Sequence, residues 1–351
     1  LARLGAPPRE LTGSGGRAAW QEERRRADLI VDALLGTGMR GPAREWMAEV
    51  IDAVNTSNRP VVSVDVPSGL GSDAPEPPGP SIRAALTVTF GCPKPSLILP
   101  PAAGYAGQVR VVDIGLPRSL WRGRPPELGL LSPSDVAPAF PRREAMTHKG
   151  DFGHVLVVAG STGKTGAAAL AALGALRVGT GLVTVAVPAS LHDILEVKLT
   201  EAMTVSLPET ETRAIAYAAL DDLLRLAEGK RAVLIGPGLG VHPDTQRLIW
   251  DLVDRLRIPV VLDADGINAF SGRWQALRRA EGALVLTPHP GECARLLGLP
   301  VDRILGDRIA LVRKTATEGN LTLVLKMART LVGDAAGRIA VVPTGNPGMA
   351  T

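Results

Sequence analysis

A chain of 351 residues, 45% of them apolar, is long enough to fill two ordinary cores, while no apolar run approaches the roughly 20 residues of a membrane helix. A net charge of +4 with acidic and basic residues interleaved, and only 3% aromatics, leaves neither a basic stripe nor a stacking platform, so neither nucleic acid nor a membrane is an expected partner. Two lone cysteines, Cys92 and Cys293, fit a reducing cytoplasm and exclude a cysteine-based metal site.

In chain order, the first 27 residues are polar, with no initiating Met and no secretory signal pattern. Since the final TGNPGMAT also reads as a loop that leads nowhere, the chain is expected to be an interior piece of a longer protein. Asp28–Leu35 (DLIVDALL) is a near-continuous apolar run, typical of a strand buried on both faces. Gly36-Thr37-Gly38 breaks it, and Pro42 is expected to open a helix reaching Val54. Pro60–Val66 is the next strand and ends in Asp65-Val66-Pro67-Ser68-Gly69. A Pro/Gly-rich surface loop, Ser72–Pro80, precedes strands at Ala84–Phe90 and Val109–Ile114. Strand, helix and strand in this order imply a right-handed crossover and a parallel sheet. Residues 117–147, rich in Pro and Arg without sustained periodicity, read as an interdomain linker.

The second half alternates strand and helix for longer. Strands are expected at His154–Ala159, Leu182–Val187, Ala232–Ile235, Pro259–Asp263, Ala283–Leu286 and Leu321–Leu325, followed by a hairpin of Arg329–Val332 and Ile339–Val342. The fold class is therefore α/β, as two three-layer doubly wound domains.

The loops at the strand ends carry the chemistry. In VDALLGTGMRGP (31–42) a Gly-x-Gly between strand and helix lets backbone approach a phosphate, though any tight strand-to-helix turn favours glycine. Asp32 lies inside the apolar run and needs a cation or several N–H donors there. Asp65 stands at a strand's carboxyl end as a catalytic candidate, with capping of the following turn as its bland role. GSTGKTGAA (160–168) is not a Walker loop, since Lys164 precedes its last glycine; its small residues suit a ligand lying against the backbone. GPGLG (236–240) offers N–H groups to an anion or makes a simple turn. In LDADGIN (262–268), Asp263 and Asp265 at spacing two would share a face while the strand persists. Such a pair can hold magnesium or polarise a hydroxyl, with helix capping by Asp265 as the competing role. His289 sits between two prolines in TPHPGE (287–292), a rigid loop at the expected ligand edge. Lys326 and Thr330 end another strand with groups suited to nucleotide phosphates.

Taken together, VDALLGTG and VDVPSG followed by HKGDFGHVLVVAGS, GPGLG, LDADGIN, TPHPGE and GNPGMAT resemble one family over nearly the whole chain. It is that of the bifunctional NAD(P)H-hydrate repair enzymes, in which an epimerase domain of YjeF N-terminal type is fused to an ADP-dependent NAD(P)H-hydrate dehydratase with a ribokinase-like fold. The resemblance implies that residues 1–116 are the C-terminal part of an incomplete Rossmann-like epimerase domain, and 148–351 a ribokinase-like dehydratase domain lacking its end. It implies potassium held by Asp32 and Ser68. The hydrated nucleotide would bind to Gly36, Thr37, Gly38, Met39, Arg40, Gly41 and Pro42 with Asp65, the catalytic residue of epimerisation. In the dehydratase, Ala167, Gly240 and His289 would line the hydrate site. ADP would lie against Lys326, Met327, Ala328, Arg329 and Thr330, and against Gly345, Asn346, Pro347, Gly348, Met349, Ala350 and Thr351. The partners implied are NAD(P)H hydrates, ADP and further copies of the chain in a homo-oligomer.

Three departures accompany the resemblance. The family's NNGGDG loop would fall upstream of Leu1, and its GGTGD segment, with the catalytic base of the dehydratase, beyond Thr351. Met327 stands where the family has glycine, so a side chain crowds the ADP phosphates. The polypeptide as given is therefore expected to have little activity in either domain. The alternatives are a ribokinase-like small-molecule kinase, or a nucleotide-binding fragment without catalysis.

Overall fold

The computed structural model describes residues 10, 13–120, 127–346 and 348. It divides into two compact units, Leu1–Pro125 and Pro126–Thr351.

In the first unit β1 (Ile30–Asp32), β2 (Val61–Val64), β3 (Leu86–Phe90) and β4 (Gln108–Val112) lie side by side in that order, all parallel. The helix Glu45–Asn55 crosses from β1 to β2, burying Ile51 and Val54 against Val61 and Ile82. It starts three residues later than expected: Pro42 is held in the loop beneath Gly79, where an added Cβ would meet the proline Cβ at 2.7 Å. The polar N-terminal stretch forms the helix Gly13–Arg26, and its Trp20 packs on the Ile51 cluster. The expectation that the first strand is buried on both faces is corrected. Asp32 is 2% exposed, but its neighbour Val31 is 62% exposed, because successive side chains of a strand point to opposite faces whatever their polarity.

Among the described residues the second unit holds ten strands: β5 (Leu128–Leu130), β6 (His154–Val158), β7 (Leu182–Pro188), β8 (Met203–Leu207), β9 (Ala232–Ile235), β10 (Val260–Leu262), β11 (Leu284–Leu286), β12 (Thr322–Leu325), β13 (Leu331–Gly333) and β14 (Ile339–Val341). They are ordered β5-β14-β13-β12-β11-β10-β9-β6-β7-β8. All pairs are parallel except β12–β13 and β13–β14, which are antiparallel, as a hairpin there requires. From β6 the chain first runs outward through β7 and β8, then returns to the other side at β9. The crevice between β6 and β9 is thus a topological switch point, where loops on either side diverge and leave room for a ligand.

Two strands lie outside the sequence reading. β8 falls in a stretch to which no element was assigned. β5 falls inside 117–147, so that segment is not a linker throughout: Leu128–Leu130 pairs with β14, with Ile339 N–H donating to Glu127 O and Leu131 N–H to Val341 O. A three-residue strand cannot show a period, which is why it reads as irregular chain. The helix Thr165–Val178 lays Ala168, Ala169 and Ala172 into the core around Val157, Val183 and Val185, while Leu170 faces outward.

Candidate functional site

Both units gather their polar loops at the carboxyl ends of parallel strands. In the first unit Asp32 ends β1. Its Oδ2 accepts from Ser63 Oγ at 2.7 Å and from the Ser68 N–H at 2.8 Å, and Oδ1 takes a long bond from the Leu34 N–H at 3.4 Å. The Ser68 hydroxyl accepts from the Leu35 N–H at 2.8 Å, tying the loop after β1 to the loop after β2. Every donor to this buried carboxylate is neutral, and among the described residues no basic side chain pairs with it. A buried carboxylate without a counter-charge fits a monovalent cation.

Asp65, just past β2, holds a left-handed backbone at φ 66°. Its Oδ1 accepts from Lys94 Nζ at 2.5 Å, Thr89 Oγ1 at 2.9 Å and the Phe90 N–H at 3.1 Å. Burial works to raise its pKa, but the Lys94 hydrogen bond, the Phe90 N–H, the Thr89 hydroxyl and the Lys94 charge outweigh it and hold the carboxyl below its ordinary 3.8. Asp65 is therefore an anion at neutral pH. The loop Gly36–Pro42 carries open backbone: an added Cβ at Gly36, Gly38 or Gly41 would meet nothing within 4 Å. Thr37 O accepts from Ser72 Oγ, and Met39 is half-buried beside the exposed Arg40.

In the second unit the switch point brings four loops together. Gly238 lies so close under the GSTGK loop that a Cβ there would sit 2.8 Å from the Lys164 Cβ and 3.3 Å from the Ala167 Cβ. Ser161 Oγ donates to Gly238 O at 2.7 Å. The Gly240 N–H donates to Asp265 Oδ2 at 2.8 Å, and Lys164 Nζ donates to the same oxygen at 3.0 Å. Burial raises the Asp265 pKa, yet the bonds from Lys164, Gly240 and Asn268 together with the Lys164 charge bring it below 3.8. Next to it Asp263 Oδ1 accepts from Thr287 Oγ1 and Lys326 Nζ, both at 2.7 Å. The Lys326 N–H donates to Pro288 O, one residue before His289.

These bonds revise several expectations. The paired-carboxylate reading fails in its geometry, because β10 stops at Leu262 and Ala264 turns to φ 48°. Asp263 and Asp265 then face different lysines, and among the described residues no cluster of three metal-ligating side chains exists. Gly240 offers no free N–H to an anion, since Asp265 takes it. His289 is a helix N-cap: its Nδ1 accepts from the Gly291 and Glu292 N–H groups, while Glu292 Oε2 accepts from the His289 N–H. Its ring is still half exposed at the edge. Met327 is half-buried, Ala328 exposed, Arg329 left-handed at φ 64°, and Thr330 Oγ1 donates to Met327 O. Gly345 and Asn346 are exposed, with the Gly348 N–H donating to Asn346 Oδ1. Pro347, Met349, Ala350 and Thr351 lie outside the described residues.

The sequence reading missed Lys94, Thr89 and Thr287, and set Lys164 aside with the Walker motif. Lys94 had a signal: it stands between Pro93 and Pro95 just past a strand, the same stiffened setting that singled out His289. A cavity of about 320 Å³ opens beside Gly240, lined by Ser161, Thr162, Thr212, Ala214, Val241 and His242. A larger one of about 810 Å³, bordered by Trp274, Asp302, Arg303 and Lys314, touches none of the motif residues, and its mixed charges select no ligand sign.

Residues 155–351 match the family described as NAD(P)H-hydrate dehydratase, and residues 8–96 match the family described as YjeF-related protein N-terminus. The bifunctional NAD(P)H-hydrate repair enzyme Nnr of Moorella thermoacetica is 47% identical over 93% of the chain and 61% of its own length. The Escherichia coli enzyme of the same name is 33% identical over 95% of the chain and 61% of its length. The chain thus spans about three-fifths of these relatives. Among solved structures, an ADP/ATP-dependent NAD(P)H-hydrate dehydratase from Bacillus subtilis, crystallised with ATP and magnesium, is 31% identical with a TM-score of 0.53. The match covers 64% of this chain and 75% of that one.

Proposed function

Because the chain belongs to the NAD(P)H-hydrate dehydratase family and carries a YjeF-related segment ahead of that domain, we propose that it serves the repair of hydrated nicotinamide nucleotides. The observation that carries this reading is the pairing of two separate parallel-sheet edges, each lined by a carboxylate held by a lysine and by glycine-rich loops, in the domain order of the repair enzymes. Water added across the ring double bond of NADH or NADPH leaves a dead cofactor in two epimeric forms. The first unit interconverts them and the second dehydrates the S form with an adenine nucleotide.

In the second unit the ring hydroxyl is a poor leaving group. Transfer of the β-phosphoryl of ADP to it gives AMP and a phosphate ester, and the lone pair of the ring nitrogen then expels inorganic phosphate to restore the double bond. Lys326 and Thr330 are assigned to the nucleotide phosphates. Ala167, Gly240 and the exposed edge of His289 are assigned to the hydrate. Magnesium would accompany the nucleotide. In the first unit the Gly36–Pro42 backbone receives the dinucleotide, Asp32 Oδ1 and the Ser68 hydroxyl are the ligands offered to potassium, and ionised Asp65 takes the proton of the water that re-adds to the ring. Homo-oligomeric assembly and a cytoplasmic setting belong to the same proposal.

The test is product analysis. A polypeptide carrying these residues at the relatives' full length should convert S-NADH hydrate and ADP into equal amounts of NADH, AMP and phosphate. Accumulation of a phosphorylated product without NADH would identify a small-molecule kinase instead.

A further inference from the structure

We propose that Lys94 is the positioning residue of the first unit's site, fixing Asp65 so that one carboxylate oxygen is anchored and the other, Oδ2, is presented to the substrate. This rests on the reading of that edge as the epimerase site. Three donors converge on Oδ1, from Lys94, Thr89 and Phe90, and among the described residues none reaches Oδ2. A carboxylate with one oxygen held three ways cannot rotate without breaking all three bonds, so Oδ2 keeps a single direction. Lys94 is spent in the same way. Its three protons go to Asp65 Oδ1, to Thr89 Oγ1 at 2.8 Å and to Phe90 O at 2.9 Å. An ammonium with no proton left over cannot grip a phosphate or donate to a substrate, so its effect reaches the reaction through Asp65 alone.

Two further features agree. Asp65 keeps a left-handed φ of 66°, a conformation that costs free energy in a non-glycine residue and persists where surrounding bonds impose it. Lys94 is stiffened between Pro93 and Pro95, and its backbone opens the short helix Pro95–Ile98. The other titratable groups on the neighbouring elements, among the described residues, are Asp32, already held by Ser63 and Ser68, the exposed Cys92, and the exposed Arg110 and Asp113 on and just past β4. None of them is bonded to Asp65, and among the described residues Lys94 is the one charge that acts on it.

The experiment uses the polypeptide at the relatives' full length, with Asp carboxyl carbons labelled and the Asp65 signal assigned through Asp65→Asn. Two quantities are read against pH in wild type, Lys94→Met and Lys94→Arg: the Asp65 titration by carbon NMR, and the exchange rate between R- and S-NADH hydrate. In wild type Asp65 should titrate below 3.8. In Lys94→Met burial is opposed only by the Phe90 N–H and the Thr89 hydroxyl, so the titration and the acid limb of the rate should both move up, and kcat should fall by about tenfold with KM little changed. Lys94→Arg should restore the low titration and part of kcat. An Asp65 titration that is the same in Lys94→Met as in wild type overturns the proposal. So does a loss of kcat in Lys94→Arg as deep as in Asp65→Asn. If wild type fails to interconvert the hydrates while Lys94→Met still moves the Asp65 titration, the epimerase reading falls and the control of Asp65 by Lys94 stands.

Discussion

At the level of single residues, each site carboxylate is defined by what its two oxygens meet. Asp32 could be flagged from sequence as a carboxylate out of place in an apolar strand, but which of its two solutions holds, a cation or a set of donors, depended on Ser63 and Ser68 arriving from β2. The donors are present, and they leave the charge itself unbalanced. Asp32→Ala strands the Ser63 hydroxyl and the Ser68 N–H in the core, and should cost about 2–4 kcal/mol in urea unfolding; a loss under about 1 kcal/mol would show that the carboxylate is not the hub joining the loops after β1 and β2. Asp265 answers to Lys164. Its pKa is lowered by folding, so its stabilisation is complete above the unfolded value of 3.8 and is lost as pH falls through the folded value. Lys164→Met should therefore be less stable than wild type by roughly 0.5–1 kcal/mol near neutrality, a figure kept small because the lysine is half exposed. The two should converge as pH falls through the folded value, and a difference that acid leaves unchanged would contradict the pairing. Cys293 is a third case: burial pushes its thiol up to about 12. Thiol alkylation at neutral pH should label exposed Cys92 and spare Cys293 until the chain unfolds.

Among the elements, the long alternating runs were legible and the shortest strands were not. β9 spans Ala232–Ile235 as the apolar run indicated, because buried parallel strands are written as continuous apolar sequence. β5 was lost in a Pro/Arg-rich stretch, since three residues carry no period and its partner β14 lies some two hundred residues away. Amide hydrogen exchange checks the pairing: Leu131 and Ile339, both donors across that edge, should exchange far more slowly than unbonded linker amides, and equal rates would return 128–130 to the linker. The glycines of the β9 loop were legible as a turn, but their reason was not. Gly236 lies at φ 131°, and a Cβ there would come within 1.8 Å of Asp263 O. Gly236→Ala must push the β10 loop away and should destabilise the second unit by about 3 kcal/mol or more. A thermal midpoint within a degree or two of wild type would show that the loops are not so closely packed. Asp263 and Asp265 face different lysines because β10 ends at Leu262 and Ala264 turns to φ 48°, and no periodicity reveals either.

For the molecule as a whole, two α/β units in one chain were legible from length, from the repeated strand–helix order and from the loop motifs. In the proposed function the division of labour between them rests on chemistry at the strand ends: an anchored anion, Asp65, in one unit, and lysine-latched loops around a switch point in the other. Among the described residues no helix is long and apolar enough to cross a membrane. On that proposal the two sites act in sequence, since a dehydratase selective for one epimer leaves the other stranded unless a partner reaction converts it. The most direct measurement supplies pure R-NADPH hydrate with ADP to the polypeptide at the relatives' full length and follows recovery of NADPH. Recovery should be complete, with one AMP formed per hydrate, and Asp65→Asn should slow the R substrate while leaving the S substrate untouched. An Asp65→Asn protein that still repairs the R form at the wild-type rate, or a wild type that consumes neither epimer, would contradict the assignment of these two edges.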